Sequence, residues 1–361
     1  MGQRVMGYPV VDVGPHLAET PDDLAPFCDP PWRHAVTNAT GMPAPWNVTG
    51  SLYPRVAPST TPPPPAENST ELRARLDAIG SDLAVLLPGP LLKLSIVHTA
   101  DYAAALARAY NRWLNERWLG SANGMYGVVI AAPHAPEDAA REIARYGREE
   151  RVVAAVIPIA GLTALLGDRR YDPIYAAAAE HGLPIILQGV EQLMVPSTAN
   201  YVSQFTSDFD QAAMEHSLIA MAHLTHLVGT GVLARFPALR IVFLGGGLSW
   251  LAHLLLRLDK EYNENRRDVP FYDDRVSHAI RRQVWVGTYP LECSDDPRDL
   301  DDLIRISCGV DRVIYGSHWP SARFDSPMRV TAALTSDEAC RKVLGGNALE
   351  LFGVNYRSTP A

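Results

Sequence analysis

Eight short runs of β-branched and other apolar residues, each broken by glycine or proline, recur along this chain with helical patterns between them. They are YPVVDVG (8–14), DLAVLLPG (82–89), YGVVIAAP (126–133), RVVAAVIPIA (151–160), LPIILQG (183–189), LRIVFLGGG (239–247), QVWVGTYP (283–290) and DRVIYGSHWP (311–320). Their apolarity is continuous, not alternating, which marks strands buried on both faces of a parallel sheet. Eight strand-then-helix units predict an α/β fold, the (β/α)8 TIM barrel, in which roughly 250 residues or more form one domain. A doubly wound open sheet is the competing architecture. Its first turn normally carries a glycine-rich phosphate loop, and VDVGPHLAE is not GxGxxG.

The segments between the runs carry helix punctuation. TELRARLDAIG ends at Gly80, suited to the left-handed position after a helix. A long amphipathic helix is predicted from a cap at Thr99 to Gly120. Pro136 with acidic neighbours opens another. In DPIYAAAAEHG we expect Asp172 as N-cap, Pro173 at the first position and Gly182 beyond the end. Residues 17–70 break the pattern: they hold twelve of the 29 prolines, including PSTTPPPPAENST, and lack periodicity. This long Pro-rich insertion after strand one leaves from the face where barrel active sites lie, so a lid or arm is expected within a single domain spanning 1–361. The polyproline run reads as a stiff spacer.

Composition removes several function classes. The 361 residues carry 32 Lys+Arg and 40 Asp+Glu, a net charge of −8, with no basic stripe, so nucleic acid is not an expected partner. No apolar run approaches the roughly 18 residues of a membrane span, so no membrane partner is expected. Cys28, Cys293, Cys308 and Cys340 are scattered without a CxxC pair, as in a reducing compartment. The amino-terminal stretch lacks the apolar core of a secretory signal. A cytoplasmic protein is expected, which leaves the sequons at Asn38, Asn47 and Asn68 without glycan.

In a barrel the strand ends name the site. Strand one supplies Asp12, Gly14 and His16; strand five Gln188, with Glu191 just beyond; strand six Gly245, Gly246 and Gly247; strand seven Thr288 and Tyr289; strand eight Ser317, His318 and Trp319. Strands one and eight are neighbours in a closed barrel, so His16 and His318 come together. Imidazole titrates near pH 6.5, and such a pair could bind metal or act as acid and base. The plainer alternative is two structural histidines bonded to backbone. Along MEHSLIAMAHLTHLV, His216, His223 and His226 share one helix face. With no HExxH pattern, core or capping roles are expected for them, and His216 is the one placed to look into the site. LGGGLSW is a weak phosphate signal; its glycines suit close backbone approach. Trp32, Trp46, Trp250 and Trp319 could line an apolar pocket.

In these segments the chain resembles the amidohydrolase-2 family, whose best known branch is the aminocarboxymuconate-semialdehyde decarboxylase group of the amidohydrolase superfamily. The resemblance rests on YNRWLNERWL, YDPIYAAAAEHGLPIIL, GVLARFPALRIVFLGGGLSWLAHLLLRLDKEY, GTYPLE and IYGSHWPSARFDSP, and runs from about residue 71 to 352 plus strand one. It implies a distorted barrel, commonly dimeric, with one divalent metal that serves decarboxylation, hydrolysis or hydration of small carboxylated or aromatic metabolites. The pattern departs here at the metal positions. Of the two strand-one histidines only His16 remains, Gly14 standing for the other. Gln188 replaces the strand-five histidine, Gly245 the strand-six ligand, and His318 the strand-eight aspartate. A catalytic divalent ion typically needs about three protein ligands. These departures lead to the expectation of no bound cofactor, with a divalent metal such as zinc as the disfavoured alternative, rescued by Asp12 or Glu191.

The leading expectation is metal-independent acid/base chemistry (lyase, cyclisation, hydration or decarboxylation) on a small molecule by a homodimer. His318 and His16 would act as acid and base, Gln188 and Tyr289 as polar anchors. Asp12, Glu191, His216, Trp250, Trp319 and Ser317 would contact substrate. Two alternatives stand beside it: a non-catalytic binding protein or partner subunit of an active relative, and a metal-dependent decarboxylase or hydrolase with substitute ligands.

Overall fold

The computed structural model describes residues 7–38, 45–46, 63–120, 124–159, 161–189, 207–354 and 356, apart from the side chains of 208 and 211. All eight apolar runs contain strands: β1 Val11–Asp12, β2 Leu83–Leu86, β3 Met125–Ile130, β4 Val152–Pro158, β5 Ile185–Gln188, β6 Ile241–Leu244, β7 Val284–Gly287 and β8 Val313–Ile314. They lie in sequence order, β1 to β8, and each neighbouring pair is parallel. The circle closes where Val13 N–H donates to the Tyr315 carbonyl at 3.0 Å and His16 N–H to the Trp319 carbonyl at 2.8 Å. This is the expected TIM barrel. An open doubly wound sheet would place its first strand inside the order rather than at an edge that joins the last.

Burial explains the continuous apolar runs. Every residue of β4 is buried, as are those of β2, β5, β6 and β7. Each large aliphatic side chain removed from water contributes about 1.5–3 kcal/mol. Helices cover the outside. Ala100–Arg117 buries Tyr102, Leu106, Tyr110 and Trp113. No described helix is long and apolar enough to cross a membrane.

Helix ends follow the sequence with two corrections. Gly80 and Gly182 take positive φ of 88° and 65°, where a β-carbon would be strained. Pro136 stands in the first turn of Pro136–Tyr146. Thr99 holds the N-cap position of its helix without a side-chain bond, and that helix ends at Arg117, ahead of Gly120. Asp172 is not a cap. It is the first helical residue, ion-paired to Arg235 at 2.7 Å, because the preceding turn Arg169–Tyr171 is already capped by Asp168. Asn68, one of the three sequons, caps Ser69–Ile79 by accepting from Glu71 N–H at 3.0 Å.

The described parts of the insertion pack on the barrel. Arg112 and Arg108 grip Asp29 at 2.8 and 3.3 Å, and Trp32 lies against Tyr102 with ring centroids 5.3 Å apart. Trp46 Nε1–H donates to the Glu19 carbonyl at 2.8 Å. Much of the segment expected to form a lid, residues 39–44 and 47–62, lies outside the described residues.

Candidate active site at the carboxyl end of the barrel

His16 follows β1 and is gripped from both sides. Its backbone forms a parallel bridge with Leu87, and its N–H reaches across to Trp319. Its Nδ1 stands 2.8 Å from the Pro88 carbonyl. A carbonyl only accepts, so Nδ1 carries the hydrogen and Nε2 presents a lone pair. Two groups meet that lone pair: His318 Nδ1 at 3.1 Å and Gln188 Nε2 at 3.2 Å. The two imidazoles stand edge to face, centroids 4.7 Å apart.

His318 sits on the turn after β8 in left-handed conformation, φ 59°. Histidine is among the few residues enriched there. The turn is tied down on every side: Ser317 N–H donates to Asp12 Oδ1 at 2.8 Å, Trp319 N–H to Ser317 Oγ at 3.0 Å, and Asp325 N–H to the Ser317 carbonyl at 3.0 Å. Tyr289 stacks on the His318 ring, 4.3 Å between centroids and 13° from parallel. Burial, and then repulsion from His16 and His216, hold the His318 pKa well below the ordinary 6.5, so the ring rests neutral. Gly14 lies directly under this turn. A β-carbon there would stand 2.7 Å from Ser317 N and 2.8 Å from His318 N.

Asp12 is fully buried, and burial raises its carboxyl to about 7 against the pull of its Ser317 bonds. Its Oδ2 meets no donor among the described residues. Gln188, 1% exposed at the end of β5, gives its amide nitrogen to His16, and its Oε1 meets no donor among the described residues. His216 is half-buried on Asp208–Gly229 and lies beside Gly245: a β-carbon on Gly245 would be in ordinary contact, 3.4 Å, with His216 Nδ1. His223 and His226 are caps, accepting from Leu166 N–H at 3.2 Å and Gly167 N–H at 3.0 Å. Burial lowers the His223 pKa to about 4, in keeping with an acceptor ring.

The structure thus brings His16, His318, Gln188 and Tyr289 together. Ser317, Trp319 and Trp250 are buried, each at most 3% exposed. Trp250 Nε1–H donates to the Gly247 carbonyl at 3.0 Å, and its ring meets Phe243 edge-on. Glu191 lies outside the described residues.

Two carboxylates at the mouth escaped the sequence reading. Glu292 accepts from Leu248 N–H at 2.7 Å, Ser249 N–H at 2.8 Å and Ser249 Oγ–H at 2.6 Å, so it caps Ser249–Asn265. The glycine-rich LGGGLSW therefore opens onto the protein's own carboxylate. Glu19, 1% exposed, accepts from Gly89 N–H at 3.1 Å and Leu91 N–H at 2.7 Å. A second imidazole pair, His98 and His134, stands 5.1 Å apart beyond β2 and β3, with His134 Nε2–H bonded to the Ser95 carbonyl at 2.7 Å. These caps are contacts between distant segments and leave no periodic mark in the sequence.

Among the described residues no group of three or more His, Cys, Asp or Glu could hold a metal ion. Two imidazoles in contact, one fixed by a backbone carbonyl, can store and pass a proton.

The amidohydrolase family model matches residues 68–354. The structure is similar to an amidohydrolase from Mycobacterium avium subsp. paratuberculosis K-10, with TM-score 0.73 and 21% identity over 97% of this chain and 100% of that one. It is similar to 5-carboxyvanillate decarboxylase LigW2 from Novosphingobium aromaticivorans, solved with bound manganese, with TM-score 0.71 and 20% identity over 98% and 99% of the two chains. It is also similar to 2,6-dihydroxybenzoate decarboxylase complexed with 2,6-dihydroxybenzoate, with TM-score 0.68 and 15% identity over 97% and 100%. At these identities the likeness is one of fold. No curated protein matches the sequence.

Proposed function

We infer the reaction from one premise: this chain belongs to the amidohydrolase family, so the group of side chains at its barrel mouth is that of an enzyme. The reading is a lyase-type reaction, decarboxylation before hydration, cyclisation or hydrolysis, on a small carboxylated or aromatic metabolite. Two of the three similar structures are decarboxylases, of 5-carboxyvanillate and of 2,6-dihydroxybenzoate, which supports placing decarboxylation first.

One observation carries the reading: His16 Nε2 stands 3.1 Å from His318 Nδ1 while the other nitrogen of His16 is committed to Pro88. In a decarboxylation the C–CO2 bond breaks, its electron pair stays on carbon, and that carbon takes one proton. His318 is the group placed to give it, recharged from solvent. His16 accepts the Nδ1–H of His318 and steadies the imidazolium while it exists. Gln188 holds the His16 lone pair in register, and the Tyr289 ring fixes the plane of His318.

The resemblance implies a divalent metal, and LigW2 was solved with bound manganese; against that, we read the donor set of the described residues as a poor fit to such an ion. Manganese favours carboxylate and carbonyl oxygens. Among the described strand ends the donors are two imidazoles in mutual contact, an amide and one carboxylate, Asp12, one of whose oxygens already accepts from Ser317 N–H. Gly245 has no side chain and a positive φ of 85°, and no side chain fits at Gly14. We therefore route no step through a metal. The same reading has the chain act as a homodimer with part of residues 17–70 over the mouth. The bond from Trp46 to Glu19 supports that placement of the segment.

The test joins two measurements: elemental analysis of protein purified without chelator and re-equilibrated with zinc or manganese, and CO2 release from aromatic acids, 2,6-dihydroxybenzoate first. Chelator-insensitive turnover at far less than one metal per chain supports the reading. Stoichiometric metal whose removal stops turnover would replace it with a metal-assisted one.

A further inference from the structure

We propose that Glu19 is a positioning residue of this active site: by holding the Pro88–Leu91 turn, it sets the tautomer and aim of the His16 imidazole. The proposal rests on the reading above that His16 and His318 do the chemistry. It concerns a residue whose carboxylate bonds the turn, through Gly89 and Leu91.

One turn connects the two side chains. Of Pro88, Gly89, Pro90 and Leu91, only Gly89 and Leu91 own an N–H, because proline has none. Both donate to Glu19, one to each oxygen, at 3.1 and 2.7 Å. The turn is pressed against the segment that carries His16. A β-carbon on Gly89 would come within 2.0 Å of the Leu17 carbonyl, Leu17 N–H donates to the Leu87 carbonyl at 2.9 Å, and Leu87 N–H to the Pro15 carbonyl at 2.8 Å. The Pro88 carbonyl then has one place to point, and it meets His16 Nδ1 at 2.8 Å. That bond puts the hydrogen on Nδ1 and leaves Nε2 as the acceptor that His318 and Gln188 approach.

A carboxyl group is an expensive way to fill a buried space. Burial pushes that of Glu19 up to about 8, while the two N–H bonds pull it down. The 2.7 Å bond from Leu91 survives in either protonation state, since a carbonyl oxygen accepts too; the bond from Gly89 strengthens on ionisation. An apolar residue would fill the space without holding the turn.

The test is nuclear magnetic resonance of 15N-histidine-labelled full-length protein, in which two-bond imidazole couplings report the tautomer without any substrate. Wild-type His16 is expected as the single Nδ1–H tautomer. Glu19→Gln has one acceptor oxygen for two donors, and His16 is expected to become a mixture of tautomers, with kcat at least about tenfold lower and KM changed less than about twofold. Glu19→Asp, one methylene short of reaching both donors, is expected to behave alike. Asp23→Asn, at an exposed cap nearby, leaves the signal unchanged. A folded Glu19→Gln protein whose His16 stays purely Nδ1–H overturns the proposal. So does a wild-type His16 that carries its hydrogen on Nε2, which can be read even if no variant folds. If instead His16→Ala retains full turnover, the reading of the chemistry falls while the tautomer result stands on its own.

Discussion

Gly14 and His318 share one volume: the backbone of the left-handed residue rests where a side chain at 14 would begin. Gly14→Ala would set a β-carbon 2.7 Å from Ser317 N, against main chain that cannot swing aside. We expect it to cost about 1–3 kcal/mol, as overpacking does, and to part His16 from His318. Urea unfolding reads the first effect and histidine spectra the second. A Gly14→Ala protein as stable as wild type would mean the turn yields freely.

Residue 318 is expected to separate stability from activity. Asparagine accepts positive φ at least as readily as histidine. His318→Asn should therefore unfold within about 1 kcal/mol of wild type, yet lose about a hundredfold or more in turnover, the range of a lost general acid. Equal turnover in the folded variant would remove His318 from the mechanism.

The pH profile has a definite sign. His318 is held well below 6.5, so its charged form thins about tenfold for each pH unit above its own pKa. If it gives the proton, kcat/KM rises as pH falls from 8 towards 6 and reaches no plateau above 6.5. A flat or rising profile contradicts that assignment.

Stability should fall as pH rises from 6.5 to 8. Burial raises Asp12 to about 7 and Glu19 to about 8, so the folded protein holds protons there that the unfolded chain has released. The stability present below their unfolded values near 4 is lost as pH passes 7 and then 8. The slope is about 1.4 kcal/mol per pH unit for each group still changing state. His318 and His223, both lowered, work in the opposite sense and only below about 6.5. Denaturant midpoints across this range test it, and Glu19→Gln should flatten the portion between 7 and 8.

The barrel was readable because its strands are local objects. VVAAVIP and IIL announce burial on both faces without reference to any other segment, and Gly80 and Gly182 mark helix ends by a property of their own backbone. The meeting of His16 with His318 was also readable, since closure of a barrel puts strand one beside strand eight. What escaped were contacts that only tertiary structure makes. Glu19 and Glu292 look like ordinary surface acids until the turns they hold are folded against them. Asp172 looks like a cap because Pro173 follows it, but the turn before it already carries one.

Glu292 has a consequence for what the barrel can admit. The amino end of a helix is a natural berth for phosphate, and in barrels such berths often lie near the last strands. Here the berth at Leu248 and Ser249 is taken by a carboxylate on the same chain. A tethered group competes at an effective concentration in the millimolar range or higher, and an incoming phosphate would have to displace it. Self-ligation of this kind leaves the helix end no free N–H at Leu248 or Ser249 for an outside anion while Glu292 stays bonded there.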